Sequence, residues 1–487
     1  MFCRISPTGP SYPYGSVGRT LRAGRGDSTN KWQLSRGVIM GLYFISKWRF
    51  GLLLLIMAQI DPSFSRAGEL ERFQQKCLAV ASNRTDSIVA AGLIGDYDQF
   101  LVNKLGRAKL DQFYASLSGP RDYFPHLKLR IGWDFKKTFM SFYKYKVKRA
   151  GKINADGAAW VSQESRHFVI YYQRGLYDPA AINALPDYLE RSFSDIKGQL
   201  FIDNTADTVL NLLIRTFYPD SSRPYYMPLD PELTNGKIQV ILFPNQAEMK
   251  SRFPYDRVND GIGGWCTFTL YHRPDGYSKT IHPRIDIVMN YLGYTSFPLI
   301  NHELAHAIHF LYYTDYDSLQ RNVGRLNQVF RDSGREVYRT QFWNIAKDIM
   351  PGKSGILEEA ISYRAMLTVG PLGEMGFAPP ISSLLSCNLD HDFDLLSASA
   401  DGNINFGNWT ILLAMLRLSR APQRKVVNTV YAWSDFLGFI GSRYPRHCMT
   451  SFYDIKSDSL SRPFESIFGV RIKDAEMEWV KQVKEMK

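Results

Sequence analysis

Phe297–Phe310 reads FPLINHELAHAIHF, and the fold is decided by how this stretch is read. Thr295 or Ser296 can cap a helix at its start, Pro298 suits a first turn, and good helix formers follow. On such a helix His302 and His306 stand four apart, so both imidazoles leave one face about one turn from each other. Two neutral imidazoles so placed can hold one zinc ion at about 2.0–2.1 Å each. Glu303 flanks that position without ligating, where it can take a proton from a water on the metal. Leu299, Ile300, Leu304, Ala305 and Ile308 make the segment mostly apolar, hence buried. A buried helix must supply partners for two histidines and a carboxylate, which speaks against a surface helix that merely carries them.

A catalytic zinc takes three protein ligands. His309 lies on the same face as His302 but two turns along, so it points past a metal held by the first pair and is assigned to packing or to supporting a ligand. A better third ligand lies in Gly355–Ala365, GILEEAISYRA, a helical apolar segment with two adjacent carboxylates, Glu358 and Glu359. Neighbours on a helix diverge by about 100°, so only one of the two faces the metal and the other is expected in solvent.

HELAH followed by a glutamate on a second helix resembles the gluzincin group of zinc metallopeptidases, the group of the thermolysin-like and aminopeptidase N families. The thermolysin-like signature around the third ligand is E-A-I-S-D, and Glu359-Ala360-Ile361-Ser362 matches its first four letters. The resemblance therefore implies Glu359, not Glu358, as the third zinc ligand. Tyr363 stands where that signature has an aspartate that orients a ligating histidine, so another residue must fill that part or it goes unfilled. Val430–Leu437 is similar to the V-Y-x-x-G run of aminopeptidase-like members, which implies that Tyr431 donates to the oxyanion of the tetrahedral intermediate. Phe464–Val470 and Trp479 look like the closing stretch of the same families. In the group a sheet-edge strand holds the substrate extended beside the metal, and Gly263, Gly264 and Trp265 are the matching candidates. No glutamate lies between Glu248 and Glu303, so the carboxylate that binds a free amino terminus in aminopeptidases is missing from that strand, which favours cleavage within a chain.

Alternation predicts strands at His167–Gln173, Lys237–Pro244, Trp265–His272 and Arg284–Asn290, and spacing predicts a helix over Pro186–Phe201 with the proline in its first turn. Beyond Phe297 the patterns are helical. The expected class is α+β, a zincin-like arrangement of a small mixed sheet on the active-site helix with a mainly helical C-terminal lobe. Residues 66–163 read as a mainly helical region of unknown role, although Tyr123–Ala159 is ambiguous between helix and strand; 164–297 are the β-rich half and 298–487 the helical half.

Of the net charge of +12, half falls in residues 1–65, which hold eight basic and two acidic residues. The rest carries no basic stripe interleaved with aromatics, so nucleic acid is not an expected partner. Gly51–Ile60 is an apolar run of ten behind Lys47 and Arg49, with Ser63–Ser65 as a small-residue exit: the pattern of a secretory signal peptide starting at Met40. Export to the periplasm or medium follows, with membrane association only if the segment is uncleaved. An oxidising compartment makes one or two disulfides among Cys77, Cys266, Cys387 and Cys448 plausible, with the pairing open. The Asp390–Asp394 cluster reads as a solvated loop, and Asn83 and Asn408 lie in glycosylation sequons. A peptide or protein is the expected substrate. Hydrolysis of other amides or esters, and a non-catalytic binding protein on the same scaffold, stay open beside it.

Overall fold

A computed structural model describes residues 2–3, 68–80, 84–131, 135–215, 217, 235–252, 263–272, 280–351, 355–375, 420–456 and 460–485. The apolar run at 51–60, both sequon asparagines, Cys387 and the Asp390–Asp394 cluster lie outside them.

The fold is α+β around one mixed sheet. In chain order its strands are β1 (Phe2–Cys3), β2 (Trp160–Glu164), β3 (Phe168–Gln173), β4 (Ile238–Phe243), β5 (Gly264–Tyr271) and β6 (His282–Asn290), with spatial order β1-β5-β6-β4-β3-β2. β4 lies parallel to both β3 and β6, whereas β2 is antiparallel to β3 and β5 is antiparallel to β6. All residues of β4 and β6 are buried, as expected of interior parallel strands covered on both faces. Ile285, Ile287 and Met289 of β6 enter the main core, while Val288 joins Val169, Tyr171, Ile241 and Phe243 in a second cluster. The sheet opens at Trp160, slightly before the expected boundary. Phe2 and Cys3, inside the stretch expected to be a leader, lie parallel to β5 opposite Thr267 and Phe268.

The region after residue 66 is helical and belongs to the same core. It contains α1 (Glu69–Val80), α2 (Arg84–Leu105), α3 (Arg107–Ala115), α4 (Tyr123–Ile131) and α5 (Phe135–Ala150). The basic aromatic stretch that sequence left ambiguous is thus two helices. Gly92 of α2 sits so close against the ring of Tyr294 that a Cβ would overlap it. Asp96 of α2 accepts a hydrogen bond from Thr295 at 3.1 Å and pairs with Lys146 of α5 at 2.8 Å.

The connection from β3 is α6 (Pro179–Gln199), capped by Asp178, whose side chain accepts from the Ala180 amide. The expected helix therefore starts two turns earlier, with Pro179 in the first turn and Pro186 inside. After α7 (Gln246–Arg252) and β5–β6 come α8 (Phe297–Tyr313), α9 (Tyr316–Arg321), α10 (Val323–Ile349), α11 (Gly355–Thr368) and α12 (Pro371–Glu374). The chain closes with α13 (Arg420–Arg443), α14 (Arg446–Tyr453), α15 (Ser461–Phe468) and α16 (Ile472–Glu485). Phe464 and Trp479 close on Phe436 of α13, and the Trp479 indole donates to Asp435 at 2.8 Å. Helix α8 lies between β5 and β6 on one side and α11 on the other, and α13 backs α11. Among the described residues no helix is long and apolar enough to cross a membrane.

A candidate metal centre between two helices

Helix α8 begins with Pro298 in its first turn, but neither expected hydroxyl caps it. A 3-10 turn over Gly293–Ser296 leads into the helix instead; Ser296 accepts from the Leu292 amide and Thr295 is engaged by Asp96. This start is rigid because both hydroxyls are spent on fixing the turn. His302 and His306 then project toward α11, where Glu359 faces them.

The three side chains converge. His302 Nε2 and His306 Nε2 are 3.3 Å apart, His302 Nε2 lies 3.5 Å from Glu359 Oε2, and His306 Nε2 lies 3.8 Å from Glu359 Oε1. Ligands about 2.0–2.1 Å from a tetrahedral zinc are separated by roughly 3.3–3.4 Å, so the observed spacings fit that ion with little adjustment. Among the described residues this is the one cluster of three such groups that could share a metal. Burial pushes the His302 imidazole down to about 3, which keeps it neutral, as a ligand must be.

The neighbouring carboxylate departs from expectation. Glu358 is not in solvent but 2 % exposed. His306 Nδ1 meets one of its oxygens at 2.7 Å, and His309 Nδ1 closes on the other. His309 Nε2 in turn lies 2.8 Å from the Tyr453 carbonyl. Burial opposes the charge on Glu358, but His309 and the hydrogen bonds from both imidazoles hold the carboxyl at about 2. His309 is thus not a ligand, in line with its place two turns along.

His302 has no such support. Its Nδ1 is buried without a hydrogen-bond partner among the described residues. Tyr363, at the position of the missing aspartate, packs its ring edge-on against the imidazole, with centroids 4.9 Å apart and planes at 85°.

Glu303 follows His302 on the face of α8 and is partly exposed. Burial raises this carboxyl above the usual carboxylate range. Tyr431 falls on α13, which packs against α11, and its side chain lies outside those described.

At the sheet edge, the close approach that two glycines allow is made by the protein itself. A Cβ on Gly264 would overlap the Met289 sulfur and come within 2.7 Å of the Val288 carbonyl; one on Gly263 would come within 2.6 Å of the Tyr143 hydroxyl. Trp265 pairs with Val288 and packs on the second apolar cluster. The remaining outer edge of β5 is where Phe2–Cys3 runs. Cys77, Cys266 and Cys448 are free and buried, so no disulfide joins the described cysteines. Each lies in packed interior, and burial raises the Cys266 thiol well above its usual range, leaving it inert.

Glu358 is the participant that sequence reasoning misplaced, whereas His309 takes the supporting place expected of it. The available signal was a third histidine on the ligand face of α8 together with a second carboxylate on an otherwise apolar facing helix. Comparison of the chain with protein families, with characterised proteins and with solved structures returned no match.

Proposed function

We propose that this chain is an exported zinc-dependent peptidase of the gluzincin kind, with a zincin-like fold, that cleaves within peptide chains. The observation that carries the reading is the convergence of His302, His306 and Glu359 at the separations a tetrahedral zinc requires. These three residues would hold the ion. When bound, zinc supplies a Lewis acid that polarises a carbonyl and brings the pKa of water toward about 7.

The protein's own groups do the rest. Glu303 takes the proton of the attacking water and passes it to the leaving amine, a task suited to a carboxyl raised above its ordinary range. The outer edge of β5 offers its backbone to an extended substrate, a use supported by the extended Phe2–Cys3 segment that lies along it. Tyr431, on the helix behind Glu359, donates to the developing oxyanion. The missing strand glutamate favours internal cleavage, and the apolar run at 51–60 favours export.

Metal analysis of the purified protein with an assay on denatured protein substrates tests the reading. One zinc per chain and cleavage at internal bonds are expected. Absence of bound transition metal overturns it, and turnover of small esters without any proteolysis moves the substrate to another class.

A further inference from the structure

The imidazole of His309 is fully buried, with the Tyr453 carbonyl, which can only accept, at Nε2 and a carboxyl oxygen of Glu358 at Nδ1; an ionised Glu358, bonded by an imidazole nitrogen at each oxygen, is an acceptor there too. Two acceptors require two donors, so the ring must carry both protons. The second oxygen of Glu358 receives Nδ1–H of His306 at 2.7 Å, which leaves the lone pair of His306 on Nε2, the atom facing His302 and Glu359.

We infer that His309 and Glu358 form a buried cation–carboxylate pair that acts as the positioning device for His306. It fixes the tautomer and ring plane of that ligand, and His309 neutralises the charge that Glu358 would otherwise press onto the ligand. Two features make His309 necessary. A carboxylate this deeply buried needs a compensating charge, because leaving one partner alone is strongly destabilising. And a carboxylate bonded only to His306 would draw its Nδ1 proton away, making the ring more anionic and the metal a weaker Lewis acid. With His309 charged, the Glu358–His309 pair is neutral as a unit, and Glu359 alone contributes negative charge to the metal. His302, with no counterpart of this pair among the described residues, packs against Tyr363.

The inference rests on the metal reading only in naming His306 a ligand, and the test separates the two. Histidine-selective 15N labelling of the metal-free protein, which has nine histidines, reports each ring nitrogen. His309 is expected to show two protonated nitrogens at neutral pH, and His306 a protonated Nδ1 with a bare Nε2. A single proton on His309 overturns the inference whether or not the protein binds metal. In the second arm, zinc affinity is measured by chelator competition for the parent protein, His309→Phe and His309→Gln, with the d–d spectrum of the cobalt-substituted forms. Affinity is expected to fall about 10- to 100-fold in both variants, with shifted cobalt bands. Folded variants with parental affinity and parental bands refute the inference. A parent protein with no zinc affinity defeats the peptidase reading, and the nitrogen signals then decide the His309 inference by themselves.

Discussion

The pair of histidines that stand one turn apart on α8 has a His302 end and a His306 end, and the two are treated differently. At the His306 end, a chain of buried polar groups runs from ligand to carboxylate to a second imidazole to a backbone carbonyl. At the His302 end, the ligand has one ring nitrogen without a partner among the described residues, an aromatic edge beside it, and the base Glu303 next in sequence. On the proposed reading the difference teaches a division of labour: the surroundings of His306 serve to hold, and those of His302, with Glu303 beside it, serve the reaction. A group that must move protons is served by partial exposure and a raised pKa, whereas a group that must stay put is served by saturating its hydrogen bonds.

The sharpest way to break this comparison is Glu303→Gln. Turnover is expected to drop by about 10²- to 10⁴-fold while zinc stoichiometry, read by metal analysis, stays at the parental value. Loss of zinc along with activity would show that the reactive end also holds.

Acid stability should separate the ends next. His302 is kept neutral in the fold, at about 3 against an ordinary 6.5, so its contribution is present above pH 6.5 and is lost as pH falls toward 3. Glu358, held at about 2 against 4.5, contributes fully above pH 4.5 and loses that contribution as pH falls toward 2. The thermal midpoint of the metal-free protein should thus decline in two overlapping stages. His302→Gln should remove the earlier one and Glu358→Gln the later. A midpoint flat from pH 6.5 to 3 contradicts both assignments.

The sheet side of the reactive end should tolerate crowding poorly. Gly264→Ala forces a methyl against Met289 and Val288 and is expected to cost about 1–3 kcal/mol in denaturant unfolding. The smallest effect is a gain: Tyr363→Asp places a carboxylate near the unpartnered His302 and should raise zinc affinity up to about 10-fold. Lower affinity would mean that the Tyr363 ring does more for His302 than a hydrogen bond can.

Much of this was legible in the chain. His302, Glu303 and His306 announce themselves because a four-residue step puts both rings on one face, and β3, β4, β5 and β6 follow from alternation or from continuous apolar runs. Glu359 was chosen by resemblance rather than by its own pattern. Helical geometry correctly separated Glu358 from Glu359, but the step from "not toward the metal" to "toward solvent" failed. α11 is enclosed on two sides, by α8 and α13, and a one-dimensional pattern does not say how many faces of a helix are covered. Capping failed for a similar reason: Thr295 has the right side chain, but a distant partner, Asp96, claims it. The leading helices showed their periodicity without showing what they lean on.

That last contact has a practical consequence. Tyr294 packs on Gly92 and Thr295 bonds Asp96, both on α2, and the helices from 69 onward share one core with Phe297, so the described part of 69–150 packs against the turn that precedes α8. Trimming a recombinant version to the second half of the molecule would strip the floor from under the turn that launches the helix of the proposed metal site, and expression trials should keep both halves together.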